Sequence, residues 1–352
     1  MKEKIINKIN LAIEEKIFSA CAVGVVRTNG NKFVIPGGKF TFEADARAIQ
    51  ENTIFDLASI TKSIPTSSLA LKLIDEGKLR LEDKLISFVP EFRNSDRENI
   101  LIKHLLTQTL DYNFRLSAYK DKSADEILEV IFTTEFKSKP GTKFFYTNAT
   151  SILLGMVVEK ILNEPLNKLS EKYFFGPLKM MHTMFEPLKK FKKEEIVPTE
   201  NQEWRGGIIQ AEVHDESAYV LNQKMTVGSA GVFSTAPDLL NFLEMLLNNG
   251  SFGGKKYFSP EIMKQIQINQ LAYINQYAGL GWELNQPRYM GKNCSEKTFG
   301  KTGFTGCVCV CDIEREVGFV ILSNCTYPAR KSDATLINKF RSDMADIVFE
   351  NL

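Results

Sequence analysis

Long apolar runs are missing from this sequence: no stretch approaches the roughly 18 consecutive apolar residues that a membrane-spanning helix requires. The N-terminus has no signal-peptide core either. Ile5, Ile6, Ile9, Ala12 and Ile13 recur at helical spacing between Lys and Glu, which predicts an amphipathic helix. A cytoplasmic protein without a membrane partner is therefore expected. An excess of one charge is missing too, since Lys plus Arg is 44 and Asp plus Glu is 43, a net +1. That balance gives no electrostatic reason to expect nucleic acid or an acidic membrane. The one basic run, Lys189-Lys190-Phe191-Lys192-Lys193, is closed at once by Glu194 and Glu195 and reads as a solvated face. Histidine is scarce, with only His104, His182 and His214. A Gly-x-Ser-x-Gly elbow is absent, because Val227-Gly228-Ser229-Ala230-Gly231 misses it by one residue.

Cysteine is present but does not spell a metal or disulfide framework. Cys307, Cys309 and Cys311 alternate with Val308 and Val310, so on a strand the three thiols share one face at a spacing of about 7 Å. A single strand cannot close them around zinc at about 2.3 Å per sulfur. Together with Cys21, Cys294 and Cys325 they read as free thiols, those on the strand serving as small apolar side chains. The 352 residues, 43% hydrophobic and 25% charged, suffice for a large core.

Three short motifs carry the chemistry. Ser59-Ile60-Thr61-Lys62, Tyr146-Thr147-Asn148 and Lys301-Thr302-Gly303 occur in that order. Single motifs are weak evidence, since a chain of this length contains roughly one or two Ser-x-x-Lys matches by chance. Indeed Ser117 to Lys120 and Tyr273-Ile274-Asn275 repeat two of the patterns. Context separates the copies. Ser59 follows an extended-looking run at 53–57 and opens a helical pattern carrying Leu69, Leu71, Leu73 and Ile74 that stops at Gly77. A serine at a helix N-terminus meets unpaired backbone N–H groups, which favour a developing oxyanion. Lys62, three residues on, returns to the same face.

The three motifs, with Gly77-Lys78-Leu79-Arg80-Leu81-Glu82-Asp83-Lys84, His104-Leu105-Leu106-Thr107, Pro140-Gly141-Thr142, Gly231-Val232-Phe233-Ser234-Thr235 and Gly303-Phe304-Thr305-Gly306, resemble the serine β-lactamase and penicillin-binding-protein superfamily. In motif style the chain is most similar to the class C β-lactamase and family VIII esterase branch. The resemblance implies an α+β, β-lactamase/transpeptidase-like fold: a mainly antiparallel sheet flanked by helices, with an inserted helical subdomain and the active site between them. Strand patterns at 20–28, 32–35, 281–284, 298–302, 306–311 and 317–323 fit this fold, with a hairpin at Asn29-Gly30. So does a last helix with Leu336, Ile337, Phe340, Met344, Ile347 and Val348 on one face. Residues 1–62 and 278–352 are expected to form the sheet subdomain and 63–277 the helical one.

The implied activity is that of a serine hydrolase acting through a Ser59 acyl-enzyme on a small ester, amide or β-lactam, without metal or other cofactor. A D-Ala-D-Ala carboxypeptidase, a D-aminopeptidase and a non-turnover β-lactam sensor are the alternatives. Lys62 and Tyr146 are the candidate bases. Bringing a tyrosine from a pKa of about 10 to about 7 takes about 4 kcal/mol. One ammonium about 4 Å away, at an effective dielectric of about 20, supplies roughly that much before desolvation. Lys62 and Lys301 are placed to do so, and Lys301 alternatively favours a carboxylate-bearing substrate. By resemblance, the oxyanion would be held by the N–H groups of Ser59 and Phe304, and Asn148, Thr302 and Gly303 would line the substrate site. Glu164-Pro165-Leu166-Asn167 is one residue short of a deacylation motif and reads as a helix entry. His214-Asp215-Glu216 reads as a contributor to the cleft edge at most, because three consecutive side chains diverge.

Overall fold

The structure is a computed structural model that describes residues 1–92 and 97–352. Five helices frame the sheet and the cleft: α1 (Lys2–Glu14), α2 (Ser68–Asp75), α3 (Ala149–Leu162), α4 (Ala236–Leu247) and α5 (Thr335–Phe349). The sheet is built from β1 (Ala20–Arg27), β2 (Lys32–Gly38), β3 (Glu283–Leu284), β4 (Phe299–Thr302), β5 (Val308–Asp312) and β6 (Val317–Ser323). Its order is β2-β1-β6-β5-β4-β3, and every neighbouring pair is antiparallel. The Asn29-Gly30 hairpin forms as expected, with Gly30 at φ 79°. Lys301 pairs with Cys309, so the last motif lies on the strand next to the cysteine-bearing one.

Both faces of this sheet are buried, and the alternation of β5 shows how. Cys307, Cys309 and Cys311 enter one core with Leu239, Leu240 and Leu243 of α4, while Val308 and Val310 enter a second core with Ile5 and Ile9 of α1 and Phe340, Met344 and Val348 of α5. Burial pushes the Cys307 and Cys309 thiols up to about 12, so they remain protonated apolar filler. In α1 the buried stripe is Ile5, Ile9 and Ala12, and Ile6 faces solvent instead of joining it. In α5 the same correction applies to Leu336, which is exposed at the first turn.

Two sequence expectations are revised by local chemistry. Ser59 does not open an α-helix. It lies in a 3-10 turn, Ala58–Lys62, followed by an irregular turn, Ser63–Ser67, and only then by α2. Pro65 is the reason: it has no N–H to donate, and it drives the residue before it out of helical geometry, leaving Ile64 at φ −119° and ψ 106°. The 3-10 turn, with three residues per turn, places Lys62 directly over Ser59. The second revision concerns α4. It falls inside the 63–277 stretch expected to be helical subdomain, yet it packs on the sheet against β1 and β6. Glycine permits this approach, since a Cβ at Gly24 of β1 would lie 3.0 Å from Leu240 Cδ1.

Among the described residues no helix is long and apolar enough to cross a membrane. The packing of α4 on β1 yields a direct test. Leu240→Ala removes a fully buried side chain from that contact and should cost about 2–5 kcal/mol, read as a lowered urea midpoint with an unchanged m-value.

Candidate active site

The turn that carries Ser59 is held from three sides by one buried carboxylate. Asp56, at the end of the short strand Phe55–Asp56, accepts the Ala58 N–H at 2.7 Å through Oδ1 and the His214 N–H at 2.7 Å through Oδ2. Its carbonyl accepts from the Thr305 hydroxyl at 2.8 Å. The segments before Ser59, before Asp215 and after Lys301-Thr302-Gly303 are thereby tied together. Ala58 sits at φ 46°, a conformation disfavoured for any residue with a Cβ, and this clamp opposes its relaxation. Gly303 completes the approach from β4: a Cβ there would lie 2.3 Å from the Leu57 carbonyl oxygen, so only glycine lets the strand come this close.

Lys62 is buried and makes three hydrogen bonds, to Ser59 Oγ at 2.8 Å, Asn148 Oδ1 at 2.7 Å and the Ser229 carbonyl at 3.0 Å. Two of these acceptors cannot donate in return. Asn148 has its amide orientation fixed, because its Nδ2 donates to Asp215 Oδ2 at 2.8 Å and to Ser217 Oγ at 3.1 Å. A neutral Lys62 therefore keeps its two N–H bonds on Asn148 and Ser229 and turns its lone pair toward the Ser59 hydroxyl. Burial holds the Lys62 amine below the ordinary lysine range, against the opposing influence of Tyr146 and Asp215, and the Lys301 charge adds to the lowering.

Tyr146 lies between both lysines, with Lys62 Nζ 5.2 Å and Lys301 Nζ 4.3 Å from its ring centroid. Its hydroxyl interacts with Ser59, Lys62 and Lys301, although 46% of the residue faces solvent. Burial of the phenol raises its pKa, but the ammonium groups of Lys301 and Lys62 outweigh that and hold Tyr146 below the ordinary tyrosine range. Lys301 moves the other way. Burial lowers it, yet the Glu283 carboxylate of β3 bonded to its Nζ, with Tyr146, keeps the amine above its usual value. Glu283 also accepts from Arg288 at 3.0 Å. The Lys301 charge is thus already compensated within the protein.

Tyr146 and Glu283 line a cleft of about 880 Å³ together with Ser59, Thr302, Gly303 and Phe304, while Lys62 and Lys301 line a small pocket that shares Tyr146 and Glu283 with it. A recess of about 240 Å³ continues from Ser59 past Asn148, His214 and Asp215. The Phe304 N–H, beside Ser59 in both, has no hydrogen-bond partner among the described residues. The motif decoys do not form a second such cluster: Ser117 lines the recess but Lys120 turns away to pack over Trp204 at 4.7 Å, and the Tyr273 hydroxyl donates to the Gly141 carbonyl at 2.5 Å. Glu164 forms a surface ion pair with Lys172 at 2.9 Å. His214, Asp215 and Glu216 do diverge, yet all three line the recess. His214 bonds Glu200 at 2.8 Å and stacks on Phe304 at 5.6 Å, Asp215 orients Asn148, and Glu216 pairs with Arg330 at 2.6 Å.

A family model described as Beta-lactamase matches residues 18–341. The chain belongs to the β-lactamase family. Within it, an Escherichia coli K12 protein named "Putative D-alanyl-D-alanine carboxypeptidase" is 32% identical, over 77% of this chain and 69% of the relative. A Bacillus subtilis strain 168 protein named N-acetylmuramyl-L-alanine amidase is 28% identical, over 78% of this chain and 69% of its own. Among solved structures, EstCE1, described as a hydrolase with promiscuous acyltransferase activity, superposes with TM-score 0.77 at 20% identity, covering 99% of this chain and 98% of that one. The Beta-Lactamase/D-Alanine Carboxypeptidase from Pseudomonas syringae gives TM-score 0.76 at 18% identity, over 98% and 97%. This β-lactamase-family chain accordingly has the β-lactamase/transpeptidase-like fold and is a serine hydrolase.

Sequence reasoning missed four residues that shape the site of this family member: Asp56, Asp215 as the orienting partner of Asn148, Glu283 and Arg341. Arg341 of α5 is buried and donates to the carbonyls of Gly303 at 2.7 Å, Cys307 at 3.0 Å and Gly306 at 3.1 Å, holding the turn that follows β4. Its helical spacing from Ile337, four residues before, and Met344, three after, puts it on the buried face of α5, which was the available signal. A pH profile separates the two carboxylates. Asp215 raises Lys62 and Glu283 raises Tyr146, so neutralising either lowers the pKa of a candidate base. The rising limb of kcat/KM should move to lower pH in Asp215→Asn, and less far in Glu283→Gln. A shift to higher pH, or none in either variant, contradicts this electrostatic assignment.

Proposed function

We propose that this enzyme hydrolyses a small-molecule ester, amide or β-lactam by acyl transfer through Ser59. The observation that carries the reading is the 2.8 Å contact between Ser59 Oγ and a Lys62 amine whose pKa burial depresses. Ser59 Oγ attacks the substrate carbonyl carbon while its proton passes to Lys62 Nζ. The negative charge on the carbonyl oxygen is met by the N–H groups of Ser59 and Phe304. The bond to the leaving group breaks, and Tyr146 relays the proton from Lys62 to the departing atom. Water then attacks the acyl carbonyl carbon while the same pair accepts its proton; the bond from that carbon to Ser59 Oγ breaks, Oγ takes the proton back, and the acid product leaves. Lys301, held positive by Glu283, keeps the Tyr146 phenol acidic enough to take and return a proton. Thr302, in the large cleft, and Asn148, in the recess, each line a cavity with Ser59 and are the residues set to contact the substrate.

A second reading is cleavage of an amide bond to alanine, as in a D-Ala-D-Ala carboxypeptidase. The names of the relatives from Escherichia coli and Bacillus subtilis favour it. A cytoplasmic location would instead favour small esters, amides or lactams.

Intact-mass measurement during incubation with a chromogenic cephalosporin and, separately, p-nitrophenyl hexanoate tests the nucleophile. The wild type should show a transient acyl adduct or multiple turnovers with at least one of them. Ser59→Ala should show no adduct and a rate lower by at least about 1,000-fold. Turnover at the wild-type rate in Ser59→Ala would overturn the assignment.

A further inference from the structure

Cations line the cleft and the small pocket beside it, and among the described residues all of these side chains but one are already engaged. Lys301 and Arg288 share Glu283, and Arg330 is bound by Glu200 and Glu216. Arg341 donates to backbone carbonyls, and Lys331 donates to the Lys16 carbonyl at 2.8 Å. Arg115 is different. It is exposed and lines both the large cleft and the adjoining recess beside Ser59 and Tyr146; its carbonyl accepts the Ala118 N–H at 3.0 Å, but its guanidinium has no ion-pair or hydrogen-bond partner among the described residues. Its backbone, by contrast, is fixed. Leu116 next to it is buried, and Phe114 packs edge-on against Tyr112 at 5.9 Å and Tyr119 at 5.5 Å. Tyr112 in turn donates from its hydroxyl to the Ile131 carbonyl at 2.7 Å.

The acids around the cleft do not offer Arg115 a partner within the protein. Glu283 and Glu216 hold other cations, Asp215 holds Asn148 and caps the helix Glu216–Leu221, and Asp333 accepts the Thr335 N–H at 2.8 Å. An unpaired guanidinium on an ordered loop, beside the reactive serine and facing open volume, presents a planar fork of donors suited to a carboxylate.

We propose that Arg115 is an anion-recognition residue, and that this enzyme prefers substrates carrying a carboxylate that docks there rather than on Lys301. The proposal rests on the reading of Ser59 as the nucleophile. It reverses the simplest expectation from Lys301, whose charge Glu283 neutralises. Recognition from Arg115 would act on binding of a remote substrate group, while the Ser59, Lys62 and Tyr146 chemistry stays the same.

The test compares esters that differ in one charge. Rates are measured for p-nitrophenyl hexanoate, the p-nitrophenyl monoester of adipic acid, and 3-carboxy-4-nitrophenyl hexanoate, which place a carboxylate on neither part, the acyl part or the leaving group. Spontaneous hydrolysis is subtracted. The readout is the ratio of kcat/KM for each charged ester to that for the neutral one, which cancels any general loss of folding or of serine reactivity. Wild type should favour at least one charged ester. Arg115→Gln should lower that ratio by about tenfold or more, Arg115→Glu should lower it further, and Arg115→Lys should restore part of it. The preference should also weaken with added salt. Ser59-dependent turnover with a ratio that stays the same across the Arg115 series overturns the subsite alone. Absence of Ser59-dependent turnover of every ester overturns the hydrolase reading and the subsite with it.

Discussion

One phenol lies between two buried ammonium groups, and the rest of the site is arranged to make that tolerable. Lys62 and Lys301 repel each other, and each loses hydration on burial, a cost of several kcal/mol per ion unless compensated. The protein compensates them separately and unequally. Glu283 contacts Lys301 directly, while Asp215 acts on Lys62 through Asn148. The result is two lysines displaced in opposite directions, one toward a neutral amine and one toward a persistent cation. Pairs of titratable groups pushed apart in this way mark a division of acid and base work.

The fold supplies the positions. Lys62 comes from a turn kept off regular helical geometry by Pro65, Asn148 from the residue before α3, and Lys301 from a strand whose neighbour β5 is buried on both faces. Motif residues join two of these elements directly, through the Lys62 to Asn148 hydrogen bond at 2.7 Å. Asp56 and Arg341 are the mechanical links: one ties the Ser59 turn to the segments at His214 and Thr305, the other anchors the turn after β4 to α5. The close contact of Gly303 with Leu57 is their consequence.

Much of this was legible from sequence because it rests on periodicity or on fixed local spacing. The alternation of Cys307, Cys309 and Cys311 with two valines placed β5 and put the three thiols on one of its faces, and the Ser59 to Lys62 interval placed an amine over a hydroxyl. What escaped was either all-or-none packing or pairing between distant segments. Ile6 and Leu336 fit their helical stripes by spacing but fall just outside the covered arc. Pro65 was visible, and its effect on the turn after Ser59 followed from proline chemistry that the helical pattern of the leucines obscured. Glu283, Asp56 and Asp215 are 18, 158 and 67 residues from the partners that give them meaning, Lys301, His214 and Asn148. No local pattern encodes such pairs. The pairing of Lys301 with Glu283 was hidden from the sequence for the same reason.

The central claim is that the two lysines together make Tyr146 more acidic than an ordinary tyrosine. Titration of the tyrosine Cζ carbons by ¹³C NMR, with Tyr146 assigned by the signal lost in Tyr146→Phe, tests this most directly. The account predicts a midpoint for Tyr146 clearly below the usual value of about 10. A midpoint at or above that value would show that burial outweighs both ammonium groups, and would contradict the account.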